Sequence, residues 1–414
     1  MKPDPSKISI ADFTYPLPAE NIAEFPLTER DQSRLLIYQD GEIREDHYSH
    51  IAEYIPREAL MVFNDTKVVE ARLLFQKETG GQIEIFCLEP DERHGDISLA
   101  MQTTGSVFWK CLIGGASKWK PGQVLRKKLR ITDTDITLEA HYREKKGDHF
   151  LIELIWNSEQ FSFAEILHAA GSIPLPPYIK RAVRVEDAEQ YQTIYAHYDG
   201  SVAAPTAGLH FTPAILKSLE ERKIKTDFIT LHVGAGTFMP VKSATIADHA
   251  MHSEFIHVNY KTVENILENH KYIITAVGTT SLRTIESLYW LGVKTKLNPF
   301  IHPASLTLGQ WEAYALEKDS MTVPVALQAL LTWLKRNEKE ELITRTQLMI
   351  VPGYKFRIVE VLVTNFHQPQ STLLLLVAAA IGPDWKKVYE YALKKNFRFL
   401  SYGDGSLLYV RREV

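Results

Sequence analysis

The chain has 414 residues, a formal net charge of −4 and 45% hydrophobic side chains, enough apolar material for a large core, expected in two domains. With 24% charged and 10% aromatic residues, the disordered, collagen-like and coiled-coil classes are excluded. The acidic total argues against a wholly basic nucleic-acid binder, although phosphate contacts answer to local charge and leave room for a basic face.

In chain order, the start MKPDPSKISIADF is polar, with two early prolines and no signal-peptide apolar stretch. Turn-rich segments over residues 1–73 lead into a predicted strand at 59–63, followed by Asn64-Asp65-Thr66-Lys67. From Gln76 to Leu154 the pattern changes: QIEIFCLEP, VFWKCLIGG, DITLEAHY and FLIELIW alternate with turns such as Gly80-Gly81, Gly114-Gly115 and Gly147-Asp148. Closely spaced strands and turns without helical periods predict a small β-barrel or sandwich. Cys87 and Cys111, the only cysteines, fall inside these strands and read as small buried hydrophobes rather than a disulfide or metal pair, which points to a reducing, cytoplasmic setting.

Beyond residue 155, helical and strand periods alternate. Helices are predicted at 212–222, 280–291, 371–380 and 385–395, and strands at 226–233, 272–277 and 359–364. This favours a helix-covered, barrel-like α/β domain (1–75 and 155–414) interrupted by an all-β barrel domain (76–154). Within 294–347 an amphipathic helix is predicted over 323–334, with proline near its start and charged residues following. The longest apolar run, 373–381, falls short of the roughly 20 residues that span a bilayer, so no membrane role is expected.

Several polar, small-residue segments stand out. Gly200-Ser-Val-Ala-Ala-Pro-Thr-Ala-Gly-Leu-His-Phe-Thr212 lets a ligand approach the backbone, with Thr206 and His210 as specific contacts; alternatively it is a close-packed loop with Thr212 as N-cap and Pro213 at N1. Thr230-Leu-His-Val-Gly-Ala-Gly-Thr-Phe238 runs from a strand into a glycine turn at Gly234 and Gly236, but Met239 breaks the dinucleotide fingerprint, which weakens a Rossmann dehydrogenase or methyltransferase. Gly278-Thr279-Thr280-Ser281 opens a helix and offers free N–H groups and the positive dipole end to an anion, with Arg283 about one turn in; the same hydroxyls could simply cap the helix. His249-Ala-Met-His252-Ser-Glu254 lacks His-Glu-x-x-His, so zinc is not expected. Thr364-Asn-Phe-His-Gln-Pro-Gln-Ser-Thr372 is a ligand-facing corner or a capped turn. Residues 105–131 carry seven Lys or Arg, no acid, and Phe108, Trp109 and Trp119 interleaved, a strip suited to RNA backbone and unstacked bases or else a solvated strand face over buried aromatics.

These segments, in this order, resemble the S-adenosylmethionine:tRNA ribosyltransferase-isomerase family of queuosine biosynthesis. The resemblance also rests on Arg30-Asp-Gln-Ser-Arg-Leu-Leu36, Asn64-Asp-Thr-Lys-Val-Val-Glu-Ala-Arg-Leu73, Pro174-Leu-Pro-Pro-Tyr-Ile-Lys-Arg181, Tyr191-Gln-Thr-Ile-Tyr-Ala196, Pro352-Gly-Tyr354 and Arg398-Phe-Leu-Ser-Tyr-Gly-Asp404. It runs from near residue 15 to 408, except for about 294–347. Departures are Gln190 where Arg is expected, Gln368 in place of Leu, Gly405-Ser406 in place of a small-hydrophobic ending, and an extra segment between Gly292 and Pro352, which makes 294–347 an expected accessory insertion in the main domain.

The resemblance implies transfer of the ribosyl part of S-adenosylmethionine to 7-aminomethyl-7-deazaguanine at the tRNA wobble position, giving epoxyqueuosine with release of adenine and methionine. S-adenosylmethionine is then a co-substrate, with no bound cofactor and no metal; tRNA is the partner through its anticodon loop, and a monomer is expected. Proton transfers in such a reaction need carboxylates or histidines, and the matched motifs supply Asp65, His210, His232, Glu254, His367 and Asp404. Contacts to the co-substrate are expected from Thr206, Gly234, Gly236, Gly278, Thr279, Thr280, Ser281 and Arg283. A catalytically silent tRNA-binding relative, or a ribosyl transferase for another nucleobase, stands as the alternative.

Overall fold

The strand Leu60–Asn64 is buried at every position, and its unbroken apolar run has a direct cause: it lies in a sheet packed on both faces. Leu60 and Val62 join a core with Leu282, Ile285 and Leu288 of helix Thr279–Leu297. Met61 and Phe63 point the other way, onto Phe211, Ile215 and Leu219 beside and within helix Pro213–Glu221. The molecule is a computed structural model describing residues 7–77, 79–120, 122–234 and 245–411.

Among these residues the main sheet has nine strands. Lys225–Leu231, Leu60–Asn64, Ile274–Val277 and Val361–Asn365 lie side by side and parallel. On one side Glu254–Asn259 and Glu341–Thr346 add antiparallel strands. On the other, Gly405–Tyr409 runs antiparallel to Val361–Asn365, followed by Arg34–Gln39 parallel to it and Glu42–His47 in a hairpin at the edge. The mixed α/β class is therefore as the sequence indicates.

A second sheet of seven strands contains Arg72–Gln76, Gln82–Pro90, Ser106–Gly114, His149–Trp156, Thr134–Lys146 and Val124–Ile131, paired antiparallel, with the short strand Gly171–Ser172 at one edge. Leu73 and Phe75 near one edge and Leu125 and Leu129 at the other share a core with Trp109, Ile152 and Phe163. The sheet is thus curled into a half-barrel around its inward-facing alternate residues. Cys87 and Cys111 are buried register partners within it.

Helix Thr279–Leu297 runs six residues past the predicted end at 291, because Val293 and Thr295 stay buried and Gly292, instead of ending the helix, lies close against the Ala326 backbone. Within 294–347, helix Val323–Arg336 docks through Leu327, Leu330, Leu331 and Leu334. The same segment supplies Glu341–Thr346 as an edge strand of the main sheet, which the sequence pattern did not indicate. Among the described residues no helix is long and apolar enough to cross a membrane.

Candidate active site

At the carboxyl ends of the four parallel strands the chain turns away through Asn64-Asp65-Thr66, His232-Val233-Gly234, Gly278 and Phe366-His367. Such ends are where α/β sheets bind ligands. A cleft opens there, between the Ala203–Ala207 loop, Gly278 to Thr280, and the corner from Thr364 to Ser371, with Tyr178 and Ser401 closing it.

Gly278 turns strand into helix with φ of +93°, a conformation that favours glycine. A Cβ there would lie 3.8 Å from the Ala207 Cβ, so the two loops approach closely. No side chain caps this helix. The Ser281 hydroxyl instead donates to the Val277 carbonyl at 2.7 Å, and Thr280 Oγ1 accepts from the Asn64 amide at 3.3 Å. The alternative of a hydroxyl N-cap is therefore not realised, and the helix start at the cleft keeps its affinity for an anionic group. At the other corners the capped turns are present, and some of the same residues also line the cleft. Thr212 and Ser371 cap their helices, while Thr206 and Ser371 line the cleft.

His367 lies on the cleft wall with Nε2 2.8 Å from Thr364 Oγ1, and among the described residues its Nδ1 makes no hydrogen bond. Burial pushes its pKa down to about 3, so the ring is neutral near pH 7. With that ring neutral, no described side chain lining the cleft carries a formal charge. His210 sits one residue behind the wall, stacked on Tyr48 at 4.1 Å between centroids, with Nε2 3.3 Å from the Asn365 amide nitrogen. Asn365 in turn accepts from Thr206 Oγ1 at 2.8 Å.

The other candidates occupy separate places. Asp65 accepts from Thr230 Oγ1 at 2.6 Å, and burial raises its pKa above the usual carboxylate range. Next to it Thr66 Oγ1 lies 2.9 Å from His232 Nδ1, and burial holds that imidazole at about 3. Asp404 is buried where it accepts from the main-chain N–H of Arg34 at 3.1 Å and of Arg398 at 2.9 Å, a clasp between chain segments. Glu254 and Arg283 pair with each other in the interior, and Arg283 Nε also donates to the Leu348 carbonyl at 3.2 Å; neither lines the cleft. Gly234 ends the described part of its turn, and Gly236 lies outside the described residues.

The structure thus brings together Thr206, Gly278, Thr279, Thr280 and His367, with His210 behind them. Sequence reasoning missed Asn64 and Asn365. The signal was available: each is a polar residue ending an apolar strand, and a buried amide there must find several partners. Asn64 finds the Leu231 main chain on both sides of its amide, at 3.0 Å each.

The basic strip is corrected in one respect. Strand alternation turns Trp109 inward, and Trp119 is buried with its indole N–H donating to the Gln123 carbonyl at 2.7 Å. Neither presents a stacking face to RNA. Acids absent from the strip come from its partner strands: Glu89 pairs with Lys110 and Glu139 with Arg126, both at 2.8 Å. Among the described residues no group of three or more His, Cys, Asp or Glu is placed to hold a metal ion.

Comparison with known proteins places these features. The family model described as queuosine biosynthesis protein matches residues 10–408. Proteins named S-adenosylmethionine:tRNA ribosyltransferase-isomerase are similar along nearly the whole chain. That of Trichlorobacter lovleyi is 34% identical over 404 residues, 96% of this chain and 99% of its own. That of Acetivibrio thermocellus is 35% identical over 407 residues, 97% and 100% respectively. A crystal structure of S-adenosylmethionine tRNA ribosyltransferase from Thermotoga maritima, 27% identical, aligns over 96% of this chain and 99% of that one with a TM-score of 0.44. The cleft at the strand ends, built from the ordered motifs, is therefore carried by a chain that belongs to the queuosine biosynthesis protein family.

Proposed function

We propose that the protein transfers the ribosyl part of S-adenosylmethionine to 7-aminomethyl-7-deazaguanine at the tRNA wobble position and isomerises it to epoxyqueuosine, releasing adenine and methionine. The observation that carries this reading is the uncharged cleft with an uncapped helix start at the ends of the parallel strands, in a chain matched along nearly its whole length by relatives named S-adenosylmethionine:tRNA ribosyltransferase-isomerase. The methionine carboxylate docks on the N–H groups beside Gly278, Thr279, Thr280 and Ser281. The sulfonium meets no lining carboxylate, so its charge remains available to acidify the neighbouring C–H and to polarise the bond to its leaving group.

Each step asks for a different group. A base removes a proton beside the sulfonium, and His367 on the cleft wall is positioned to accept one at Nδ1 when its Nε2–H donates to Thr364 Oγ1. An acid assists departure of adenine; Asp65, whose pKa burial raises, is suited to hold that proton. The acceptor amine attacks as the free base, and a ribosyl hydroxyl then displaces methionine to close the epoxide. His232 holds Thr66, the residue after Asp65, from the adjoining strand end, while Asp404 and the Glu254–Arg283 pair hold the frame. In this reading residues 76–154 act as an inserted barrel domain that meets tRNA. Residues 1–75 and 155–414 form the helix-covered, barrel-like catalytic domain, with 294–347 as its accessory. The protein works as a cytoplasmic monomer without bound cofactor.

Mass spectrometry of tRNA nucleosides, after incubation with S-adenosylmethionine and tRNA carrying the deazaguanine precursor, tests the proposal. Epoxyqueuosine with free adenine and methionine is the expected outcome. Methylated RNA with S-adenosylhomocysteine would overturn it.

A further inference from the structure

Thr206 and His210 sit at the two ends of one short helical turn, Thr206–His210, and both reach the same side chain, Asn365. The directions of these hydrogen bonds are determined from the buried end outward. The Asn365 amide nitrogen lies toward His210 Nε2; an amide nitrogen only donates, so the neutral ring accepts there and carries its proton on Nδ1. Neutrality is secured by surroundings that offer no counter-charge: burial first, then the nearby guanidinium groups of Arg398 and Arg30, hold the ring at about 3. Tyr48 stacks on its face and Tyr402 shares its small cavity.

With its nitrogen toward His210, the Asn365 amide has its oxygen toward Thr206. An amide oxygen only accepts, so the Thr206 hydroxyl proton is committed inward. Thr206 lines the cleft, and toward a ligand there its hydroxyl has only its lone pairs left to offer. Thr206 therefore meets a ligand as an acceptor and selects a donor group from it.

The place of that donor follows from the neighbouring loop. Ala207, next to Thr206, lies 3.8 Å from where a Cβ on Gly278 would stand, at the helix start that suits a carboxylate. A group held there that also offers an N–H donor one carbon away is an α-amino acid. We propose that Asn365 is a positioning residue that fixes the Thr206 hydroxyl as an acceptor for the α-ammonium of the methionyl end of S-adenosylmethionine. The inference rests on the proposed function, which brings that molecule into the cleft, and adds which atom reads its amino group.

The test is calorimetric titration of S-adenosylmethionine and of its analogue lacking the α-amino group. A hydrogen bond to a charged donor contributes about 1.5–3 kcal/mol, or about 10- to 100-fold in affinity. The wild-type protein should prefer S-adenosylmethionine by about that factor. Thr206→Val and Asn365→Ala should each lose most of the preference, with the analogue binding as before. The double variant should lose no more than either single one, and Thr206→Ser should keep the preference. If Asn365 only held the loop, Asn365→Ala would weaken both compounds alike and leave their ratio unchanged, which overturns the proposal. Retention of the wild-type ratio by Thr206→Val overturns it equally. A wild-type protein that binds neither compound sinks the functional reading itself, and this inference with it.

Discussion

His210, His232 and His367 are each buried with their pKa pushed down to about 3, burial being the largest cause for all three. An imidazole in the unfolded chain titrates near 6.5. Between those values the unfolded state holds a proton that the native state lacks, so native stability rises with pH across the window. It falls as the medium is acidified below about 6.5, by up to about 1.4 kcal/mol per pH unit for each ring. Asp65 acts oppositely, because burial raises its pKa and lets the native state keep a proton the unfolded chain has lost. We expect urea midpoints to drop steeply from pH 7 to pH 5, and His232→Gln to flatten that slope by roughly 1 kcal/mol per pH unit. Gln preserves a partner for Thr66, so the fold is retained at pH 7. An unchanged slope in the variant would mean that His232 binds its proton alike in the native and unfolded states.

Gly292 lies in the middle of helix Thr279–Leu297, where a Cβ would come within 2.3 Å of the Ala326 carbonyl oxygen of helix Val323–Arg336. Alanine raises helix propensity by up to about 1 kcal/mol over glycine, but here it forces two backbones apart, and overpacking costs typically about 1–3 kcal/mol. Gly292→Ala should therefore destabilise the protein, seen as a lower denaturation midpoint. An equal or higher midpoint would show that the helices shift apart at no cost. This contact marks the limit of what local pattern conveys. The 3.6-residue periods of Pro213–Glu221, Trp385–Lys394 and Val323–Arg336, and the apolar runs of the parallel strands, were legible because each is set by burial of a local face. The pairing of Glu341–Thr346 with Glu254–Asn259 was not, since its alternate exposed residues and charged neighbours resemble a solvated turn until the partner strand is known. At the site, the glycine corner and the Thr364 to His367 corner were legible as polar residues ending strands. Asn365 as a hub was not, because its partners Thr206 and His210 lie 159 and 155 positions away. The same distance effect hides that Arg283, one turn into its helix, pairs with Glu254 rather than facing the cleft.

A protein of net charge −4 that modifies tRNA needs a local basic surface, and the curled sheet offers a reduced form of the strip. Val124–Ile131 buries Leu125 and Leu129 and turns Arg126, Lys128 and Arg130 outward. Arg126 is matched by Glu139 at 2.8 Å, and Arg130 lies 3.7 Å from Asp133, so these two add little net positive potential. Lys118, Lys120 and Lys128 are exposed and make no ion pair among the described residues. With Trp109 and Trp119 buried, the tRNA contact proposed for this surface would rest on phosphates rather than on stacked bases, and would position the tRNA without reading its sequence. Three phosphate contacts on a single-stranded loop, at about 0.7 each, correspond to a change of about 2 in the slope of log affinity against log salt. Replacing the three lysines together by alanine should lower that slope by about 2 and weaken tRNA binding most at low salt. S-adenosylmethionine affinity should remain as in the wild type, because its cleft lies at the ends of the parallel strands in the other sheet. The control is Arg126→Ala, which removes a cation already neutralised by Glu139 and should move the slope little. A triple variant with the wild-type slope would leave the three lysines as a solvated face and require the tRNA to be held by the main domain alone.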